Sequence, residues 1–411
     1  MNTPLQTLKG FRDFIGDDAK KRQWLIANIR SVFEKYGYEP LETPALEYES
    51  LLLGKYGAEA DKLIFGFQDR GDRRVALRYD QTIPTARVVA QYQNQLVFPY
   101  KRYQIQPVWR SEKPQKGRYR EFFQCDADII GTTSYIADAD LLVCCVEIYK
   151  KIGFDSLKIK LNDRSLLINI IESAGIPEDM VFSVIQTIDK LDKKSPEEVL
   201  LELKEKNFTD EVSKKLLYSL ENAQLPESLK NIIETAVALG VARETFVFTP
   251  TLARGLDYYT GMIFEGVLPE YPSGSVVGGG RYDNLLEQLV GVKMPALGFA
   301  IGFDRTLEAA EELKKVPLFE GNCKVLVSIF SPELLKTSLE ITCQLRLKGI
   351  AADCYMDQNK KLEAQLKYAN RKNIPYVIIV GPEELQQKVV KLKNMNTGQQ
   401  SIEQLDELDL S

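Results

Sequence analysis

Histidine does not occur anywhere in the 411 residues of this chain. Imidazole is the side chain that ordinarily titrates nearest neutral pH, and it serves many proteins as a general base or a metal ligand. Its absence means that no imidazole side chain takes part in the chemistry of this protein. Carboxylates, guanidinium groups and phenols are therefore the polar groups to examine.

Cysteine pairs with the spacing of metal ligands are also missing. No C-x-x-C pair occurs among the six cysteines, which are Cys125, Cys144, Cys145, Cys323, Cys343 and Cys354. Without such a pair and without histidine we expect no zinc site, and we assign no residue to a metal. Cys144 and Cys145 lie in the apolar run 141–146 and are predicted to be buried in a helix. We interpret all six as reduced, structural thiols.

Long apolar runs are absent as well. None approaches the length of a bilayer span, and the first ten residues lack the basic-then-apolar pattern of a signal peptide. We therefore expect a cytoplasmic protein with no membrane partner. The chain is 44% hydrophobic and 27% charged, as is ordinary for soluble proteins, and its length suits two or three domains. The net charge of −5 does not decide whether nucleic acid is a partner, because a local basic patch is sufficient to bind phosphates.

The first part of the chain predicts an α+β domain. Residues 18–37 predict an amphipathic helix that ends at Gly37. Its apolar residues at helical spacing are Leu25, Ile29, Val32 and Phe33. The next elements predicted are a helix over 84–94 and strands over 62–68, 74–78, 103–110 and 121–131. Closely spaced strands with few long helices between them indicate an antiparallel sheet with helices packed on it.

Two changes of pattern predict further domains. From about residue 163 to 241 the sequence becomes rich in leucine and lysine helices, such as 195–206 and 210–222, and we predict an inserted helical domain. Residues 314–322 are predicted to be a linker. Beyond it strands and helices alternate, which predicts a small α/β domain with a mostly parallel sheet over 323–411.

Residues 102–128 predict a hairpin with a basic loop between a strand ending at Arg110 and another beginning near Glu121. Its positive charges are Arg110, Lys113, Lys116, Arg118 and Arg120. Guanidinium groups bind phosphate oxygens in pairs, so this hairpin suits a polyphosphate ligand. A solvated hairpin with surface charges is the alternative interpretation.

Two glycine-containing segments lie near the end of the first domain. The first, 297–308, predicts a strand that enters a helix, with Arg305 at the turn, where it would meet a phosphate or form a surface salt bridge. Gly298 and Gly302 would let backbone or ligand approach closely there. The second, 273–283, lacks the strand–G-x-G-x-x-G–helix context of a dinucleotide site and indicates room for a ligand or a tight turn.

The segment 251–265 combines several polar groups between glycines. They are Arg254, Asp257, Tyr258 and Tyr259. This mixture suits a small, polar, partly aromatic ligand held beside a developing negative charge. Asp80 and Thr82, just before the helix predicted at 84, offer acceptors for an ammonium group. Alternatively, Thr82 is simply the N-cap of that helix.

Together these segments resemble class II aminoacyl-tRNA synthetases, and specifically the histidyl-tRNA synthetase family. Residues 18–46 resemble motif 1, the 102–128 hairpin resembles motif 2, and Gly298–Arg305 resembles motif 3. Arg254–Tyr259 resembles the histidine-specific signature of the family, and Gly278–Asp283 resembles its glycine-rich companion. The similarity extends from Leu8 to the C-terminal domain, and Ser111 and Phe123 stand where relatives often carry histidine.

The resemblance implies roles for individual residues. The implied catalytic residues are Arg254 and Arg110. The implied ATP contacts are Arg110, Glu112, Phe122 and Arg305. The implied histidine contacts are Asp80, Gln81, Thr82, Arg110, Gln124, Asp128, Arg254, Tyr258 and Tyr259. The residues implied to meet the acceptor end of tRNA are Lys113, Gln115 and Lys116.

The resemblance also implies a fold, partners and a reaction. The fold would be a class II catalytic domain over 1–320, with the helical insertion at about 163–241, and an α/β anticodon-binding domain over 323–411. The reaction would join L-histidine to ATP with Mg²⁺ and pass the histidyl group to tRNA(His), and motif 1 would form a homodimer interface. The alternative is a non-catalytic paralogue that acts as the regulatory subunit of ATP phosphoribosyltransferase. Such paralogues usually lack the anticodon domain and alter the motif 2 and Arg254 positions.

Two explanations of the missing histidines remain open. An enzyme that supplies histidyl-tRNA gains from needing none for its own synthesis, which would let it recover from histidine starvation. Codon bias, drift or deliberate redesign without that purpose would give the same composition.

Overall fold

The structure is a computed structural model that describes residues 5–53, 63–114, 119–192, 194–253, 258–319, 323–405 and 408. The chain divides into two compact units, Met1–Val316 and Pro317–Ser411. Each unit has its own sheets and its own hydrophobic core.

The first unit is built on an eight-stranded sheet. Its strands, in their order across the sheet, are β1 (Glu39–Pro40), β5 (Tyr100–Trp109), β6 (Glu121–Ile130), β11 (Ala296–Gly302), β10 (Val277–Arg281), β9 (Met262–Val267), β7 (Lys158–Asp163) and β8 (Phe246–Phe248). The two outer pairs are parallel and the inner pairs are antiparallel. The predicted α+β class and the antiparallel sheet are confirmed.

Helices cover one face of this sheet. They are α1 (Asp17–Lys35), α4 (Tyr135–Ile152) and α9 (Glu227–Ala238). The four apolar residues predicted to line one side of α1 are all buried, at 1% exposure or less, in the same cluster as Cys144 and Cys145 of α4. Burial of this continuous apolar stripe is the main reason that α1 forms, because isolated helices of this length are marginal in water.

A second, three-stranded antiparallel sheet lies in the same unit. It contains β2 (Leu46–Tyr48), β4 (Arg74–Leu77) and β3 (Phe65–Gln68). The strands predicted at 62–68 and 74–78 are therefore in a different sheet from the 103–131 hairpin, because strand pairing is set by long-range contacts that strand patterning does not reveal. Beside it lie the short helices α2 (Glu49–Leu52), α3 (Thr82–Tyr92) and α10 (Leu285–Val290).

In its described part, the predicted helical segment between β7 and β8 consists of helices joined by short turns. Its first helices are α5 (Arg164–Ser173), α6 (Glu178–Ile188), α7 (Pro196–Glu205) and α8 (Asp210–Glu221), and they share one apolar cluster. Ser195 begins α7 with a capping box, in which its hydroxyl and the Glu198 carboxylate each bond the other residue's backbone N–H. The last helix, α9, packs instead into the main core against α4.

The second unit has a five-stranded sheet. Its order is β13 (Ala352–Cys354), β12 (Val325–Val327), β14 (Tyr376–Ile379), β15 (Val390–Asn394) and β16 (Gln400–Glu403), and its helices are α12 (Leu335–Leu347), α13 (Leu362–Arg371) and α14 (Pro382–Gln387). The α/β class is confirmed. The prediction of a mostly parallel sheet is wrong, because β14, β15 and β16 pair antiparallel. The polar stretch that forms α14 and β16 has no strong apolar periodicity, so the sequence did not predict either element.

The structure confirms most of the interpretation of the cysteines as reduced, structural thiols. All six are unpaired thiols, and Cys125, Cys144, Cys145 and Cys354 are buried. Cys343 is exposed, so the interpretation of all six as structural is wrong for that residue. Within the described ranges no helix combines the length and apolar character that crossing a membrane requires.

Candidate active site

The face of the large sheet opposite α1, α4 and α9 carries polar residues at its centre. On β6, Gln124, Asp126 and Asp128 point to this face, because alternate residues of a strand share a side. The intervening residues Cys125 and Ala127 point into the main core. The sequence of β6 therefore separates a polar surface from an apolar one within a single strand.

The neighbouring strands complete this polar face. On β5, the partners of the three polar residues of β6 are Gln106, Gln104 and Arg102. On β11, their partners are Gly302, Ala300 and Gly298. These residues of β11 have almost no side-chain atoms, so the polar face is recessed along that strand. The long side chains of β5 crowd its other side. At Gly298 a Cβ atom would lie 1.9 Å from Asp128 Oδ1, so only glycine fits beside that carboxylate.

The four residues implied to bind ATP lie around one cavity of about 330 Å³. Arg110, Glu112 and Phe122 come from the β5–β6 hairpin, and Arg305 comes from α11 (Phe303–Glu312), which follows β11. The other lining residues are Tyr119, Gly302, Phe303 and Asp304. Segments almost 200 residues apart in sequence thus meet because β6 and β11 are adjacent strands.

Both arginines of this cavity are held in place. Arg110 Nε donates to the Tyr79 carbonyl at 3.1 Å, and its guanidinium lies 5.1 Å from the centre of the Phe122 ring. Arg305 Nη1 donates to the Ser275 carbonyl at 2.7 Å. These contacts hold two guanidinium groups at the cavity wall. Their partners in these contacts are carbonyl oxygens and an aromatic ring, and none is a carboxylate.

Two of the residues implied to bind the amino acid, Gln81 and Gln124, have buried side-chain oxygens beside this cavity. Gln81 Nε2 donates to the backbone carbonyls of Gln106 and Gln124, at 2.9 and 3.3 Å. The side-chain oxygens of Gln81 and Gln124 are buried and have no hydrogen-bond partner among the described residues. Buried acceptors left in this state are unfavourable, so the site is arranged to receive a ligand rich in N–H donors.

The alternative role of Thr82 as a helix N-cap is wrong. Thr82 is the first residue of α3, and its N-cap residue Gln81 makes no side-chain cap. Asp80 takes the capping role instead, since its Oδ1 accepts from the Ile83 N–H at 3.3 Å. Asp80 is buried, with 8% of its surface exposed.

Asp128 lies deep in the site and already has two partners. It forms a buried ion pair with Arg102 and accepts a hydrogen bond from the Tyr282 hydroxyl. Burial raises the pKa of Asp128, while the Arg102 charge and the Tyr282 hydrogen bond lower it, with a net upward shift. Arg102 and Tyr282 were not among the predicted site residues, because Arg102 reaches this carboxylate through the β5–β6 register and Tyr282 through its place just after β10.

The two tyrosines of the 258–259 pair stand at the other side of the site. Their ring centres are 4.7 Å apart, and the Tyr258 ring meets the Tyr282 ring edge-on at 5.7 Å. Burial, with the nearby carboxylates of Asp128 and Asp126, raises the pKa of Tyr259 to about 12. Tyr259 is therefore a neutral phenol over the whole physiological range and acts as a hydrogen-bonding group.

A salt-bridge cluster next to the ATP cavity was not predicted. Asp304, at the start of α11, accepts from Arg12 at 2.9 Å and from Arg22 of α1 at 3.0 Å. The Arg12 guanidinium also lies over the Tyr119 ring, 3.2 Å from its centre. An arginine close to the N-terminus carries no local signal of such a role, and only the Gly-Phe-Arg-Asp sequence within the resemblance pointed to this segment.

Several predicted residues lie elsewhere. Arg254 and Asp257, together with Gln115 and Lys116 of the hairpin loop, lie outside the described residues. Lys113 is exposed on that loop. Arg120, predicted among the loop cations, instead donates to the Glu112 and Lys9 carbonyls, at 3.1 and 3.4 Å.

Comparison with known proteins is consistent with this geometry. The family model for histidyl-tRNA synthetase matches residues 10–306, and an anticodon binding domain matches residues 324–409. A histidine–tRNA ligase from Cytophaga hutchinsonii is 39% identical over 97% of this chain and 97% of its own.

Solved structures agree. The crystal structure of a histidyl-tRNA synthetase from Nostoc sp. PCC 7120 superposes with a TM-score of 0.87 and 29% identity, covering 98% of each chain. An ATP phosphoribosyltransferase regulatory subunit/histidyl-tRNA synthetase from Bacillus halodurans has a TM-score of 0.77 at 21% identity, over 92% of this chain and 99% of its own, a likeness of fold alone. With its family model covering most of the chain, this protein belongs to the histidyl-tRNA synthetase family.

Proposed function

We propose that this chain is a histidine–tRNA ligase, which activates L-histidine with ATP to histidyl-adenylate and pyrophosphate and then transfers the histidyl group to the 3′ end of tRNA(His). One observation carries the proposal. The residues implied to bind ATP surround one cavity, and buried, unsatisfied acceptors suited to an amino acid lie beside it on the same sheet face.

Activation requires the histidine carboxylate to attack the α-phosphorus of ATP. Negative charge spreads over the phosphoryl oxygens in the transition state, so fixed positive charge and positioning provide most of the catalysis. Arg110 would hold the α-phosphate and the substrate carboxylate, and Arg254 would act beside it. Arg305 would meet the γ-phosphate, and Glu112 and Phe122 would place the adenine. The anchored arginines of the cavity support these roles.

Mg²⁺ would enter with the nucleotide. This ion is commonly held by one or two carboxylates together with substrate phosphates, so a preformed cluster of protein ligands is not required. Glu112 and Asp304 are the carboxylates that line the cavity, and Asp304 is already paired with two arginines. When bound, the ion would neutralise phosphate charge.

Selection of the amino acid would depend on the buried acceptors. Asp80, Thr82 and Gln124 would bind the α-ammonium group, with Gln81 behind them. Asp128 and Tyr259 would bracket the imidazole, and Tyr258 would close the pocket. A site that hydrogen-bonds both ring nitrogens rejects analogues that lack them, because its own buried polar groups would then stay unpaired.

Family membership supports proposals for the remaining partners. We propose that the loop with Lys113, Gln115 and Lys116 meets the tRNA acceptor end, and that the 323–411 unit binds the anticodon stem. A cytoplasmic homodimer formed through the motif 1 region is the proposed assembly.

ATP–pyrophosphate exchange with the purified protein, Mg²⁺ and each amino acid in turn tests the proposal. We expect exchange with histidine alone, followed by charging of tRNA(His). Folded protein that exchanges with no amino acid would contradict the proposal and favour the regulatory paralogue. Exchange with histidine but no charging would limit the function to the first step.

A further inference from the structure

Asp126 is a buried carboxyl that the proposed reaction does not use. It lies on β6 between Gln124 and Asp128, and only 5% of its surface is exposed. Its Oδ1 has no hydrogen-bond partner among the described residues. An unpartnered buried carboxyl is unfavourable, so the fold retains a group that only a ligand or a water would satisfy.

The two neighbours of Asp126 across the sheet neither fill its surroundings nor satisfy it. On the β11 side it faces Ala300, which provides a single methyl group. On the β5 side it faces Gln104, whose Nε2 donates to Thr43 Oγ1 and to Gln106 Oε1, at 2.8 and 2.6 Å. The carboxyl is thus directed to the same polar face as the buried side-chain oxygen of Gln124, about 7 Å away along the strand.

The ionisable groups around Asp126 come from every neighbouring part of the site. Asp128 lies on its own strand, and the others are Arg102, Arg110, Asp80 and Tyr259. Burial raises the pKa of Asp126 to about 8; Asp128 and Asp80 add to this effect, and Arg102 and Arg110 oppose it. At neutral pH the carboxyl is therefore mostly protonated in the absence of a ligand.

We infer that Asp126 accepts a hydrogen bond from an N–H group of the bound histidine, and that it determines amino-acid specificity together with Asp128. This inference rests on the proposed function. Histidine supplies donors at both ends, its ammonium group and its imidazole N–H. Asp126 lies midway between the residues proposed to bind those ends, Gln124 and Asp128. A cationic donor favours the ionised carboxylate, so binding of histidine would release the proton of Asp126.

Two substitutions test the inference by pyrophosphate exchange. Asp126→Asn keeps the shape and leaves a neutral acceptor, and Asp126→Ala removes the acceptor. We expect the KM for histidine to rise about tenfold in the first variant and more in the second, the range expected for losing a hydrogen bond to a charged group. The KM for ATP stays unchanged. The matched control is Cys125→Ala, on the same strand but facing the core, which leaves both KM values unchanged.

Thermal unfolding separates ligand binding from a structural role. Since Asp126 Oδ1 makes no hydrogen bond within the described protein, neither variant should lower the Tm appreciably. Unchanged KM for histidine in both variants would overturn the inference, as the outcome expected if only a water meets the carboxyl. A lowered Tm with both KM values raised together would also overturn it and indicate a structural role. Absence of histidine-dependent exchange in the unsubstituted protein would count against the proposed function instead.

Calorimetry on the unsubstituted protein decides the matter if neither variant folds. Histidine is titrated in two buffers of different ionisation enthalpy, at about pH 7 and about pH 9. After subtraction of the proton taken up by the amino group of free histidine, which itself titrates at about pH 9, we expect release near one per site at the lower pH and much less at the higher pH, where Asp126 has already lost its proton. Equal proton counts at both pH values would overturn the inference.

Discussion

Asp126 and Asp128 are two residues apart on one strand, yet their carboxyls are in different situations. Asp128 is paired with Arg102 and Tyr282, whereas Asp126 Oδ1 lacks a hydrogen-bond partner in the described part of the chain. A buried carboxyl that lacks compensation reduces the stability of the protein that holds it. At the residue scale the site therefore exchanges stability for the ability to bind a ligand, a trade-off common at functional sites.

The Asp126→Asn variant should be more stable than the unsubstituted protein at alkaline pH. The ordinary pKa of 3.8 applies in the unfolded chain, and the folded value is about 8. Between these values the unfolded chain has lost the proton that the folded chain keeps, so stability falls as pH rises through this window and is level above it. An asparagine side chain does not ionise, so the stability of the variant does not fall in this way. We expect urea unfolding to give the variant an advantage of a few kcal/mol near pH 8 that shrinks towards pH 5.

The control for this measurement is Cys125→Ala, whose effect on the unfolding free energy should be the same at both pH values. The thiol has its ordinary pKa of 9.0 in the unfolded chain, and burial raises the pKa well above that value in the folded protein, so it stays mostly protonated in both states below about pH 8. A stability difference for Asp126→Asn that does not change with pH would contradict the prediction.

Alanine substitutions at two adjacent glycines of β10 should have opposite effects on stability and on histidine binding. At Gly279 a Cβ would lie 2.2 Å from the Gly298 carbonyl oxygen, whereas at Gly278 the nearest atom would be 3.6 Å away. Gly278 also pairs with Glu265 and Ala300 on the polar face. We expect Gly279→Ala to destabilise the fold by about 1–3 kcal/mol through overpacking. Gly278→Ala should leave the Tm nearly unchanged but raise the KM for histidine. A Tm loss of the same size in both variants would show that Gly278 has no spare room.

At the scale of elements, the segment before α1 is joined to the ATP cavity. Arg12 connects Asp304 of α11 to the Tyr119 ring, and the Gly10 carbonyl accepts from the Arg120 N–H at 3.0 Å. Asp304 and Tyr119 both line that cavity. The segment therefore braces two walls of the cavity without supplying a lining residue of its own.

Removing this brace should raise the KM for ATP more than the KM for histidine. Arg12→Met removes the ion pair with Asp304 and the contact of the guanidinium with the Tyr119 ring, and it keeps a long, unbranched side chain. We expect a rise of about tenfold in the KM for ATP, since small misplacements of binding groups are costly, and little change in the KM for histidine. The matched control is Lys21→Met, which removes the 2.6 Å ion pair between α1 and Glu311 of α11. Equal effects of both substitutions on ATP would argue against a specific brace.

The elements themselves were largely predictable, because α1, β5, β6 and the strand–turn–helix of β11 and α11 each carry a strong local pattern. Their resemblance to motifs also identified Arg110, Glu112, Phe122 and Arg305, which meet in one cavity. What the sequence did not reveal depends on register. The pairing of β6 with β5 brings Arg102 to Asp128, and no local pattern reports it. The role of Asp126 was missed for the same reason, and the contact of Arg12 with Asp304 was missed because it joins a segment without a local pattern to a helix 292 residues away.

At the scale of the whole molecule, each unit has a core of its own. The catalytic residues proposed here all belong to Met1–Val316, and the second unit has separate apolar clusters on its five-stranded sheet. A chain ending at Val316 should therefore fold and retain histidine-dependent pyrophosphate exchange, while its charging of tRNA(His) falls steeply because anticodon contacts are lost. The full chain, prepared in parallel, is the reference. Loss of exchange together with a lowered Tm would show that the first unit depends on the second.

The composition of the whole chain supports one further prediction. Translation of its message in a histidine-depleted extract should continue when translation of a histidine-containing relative stops, because no codon of this chain calls for histidine. The readout is the yield of full-length product. Stalling equal to that of the relative would contradict the idea that the composition protects synthesis of the protein.

The pocket has no imidazole of its own, and neither has any other part of the chain. In a nuclear magnetic resonance spectrum of the complex, every imidazole signal therefore belongs to the ligand. Histidine labelled with ¹⁵N would report which ring nitrogen carries the proton and how its resonance moves when Asp128 or Tyr259 is altered. The protein contributes no imidazole signal, so the tautomer of the bound substrate can be read directly from the spectrum.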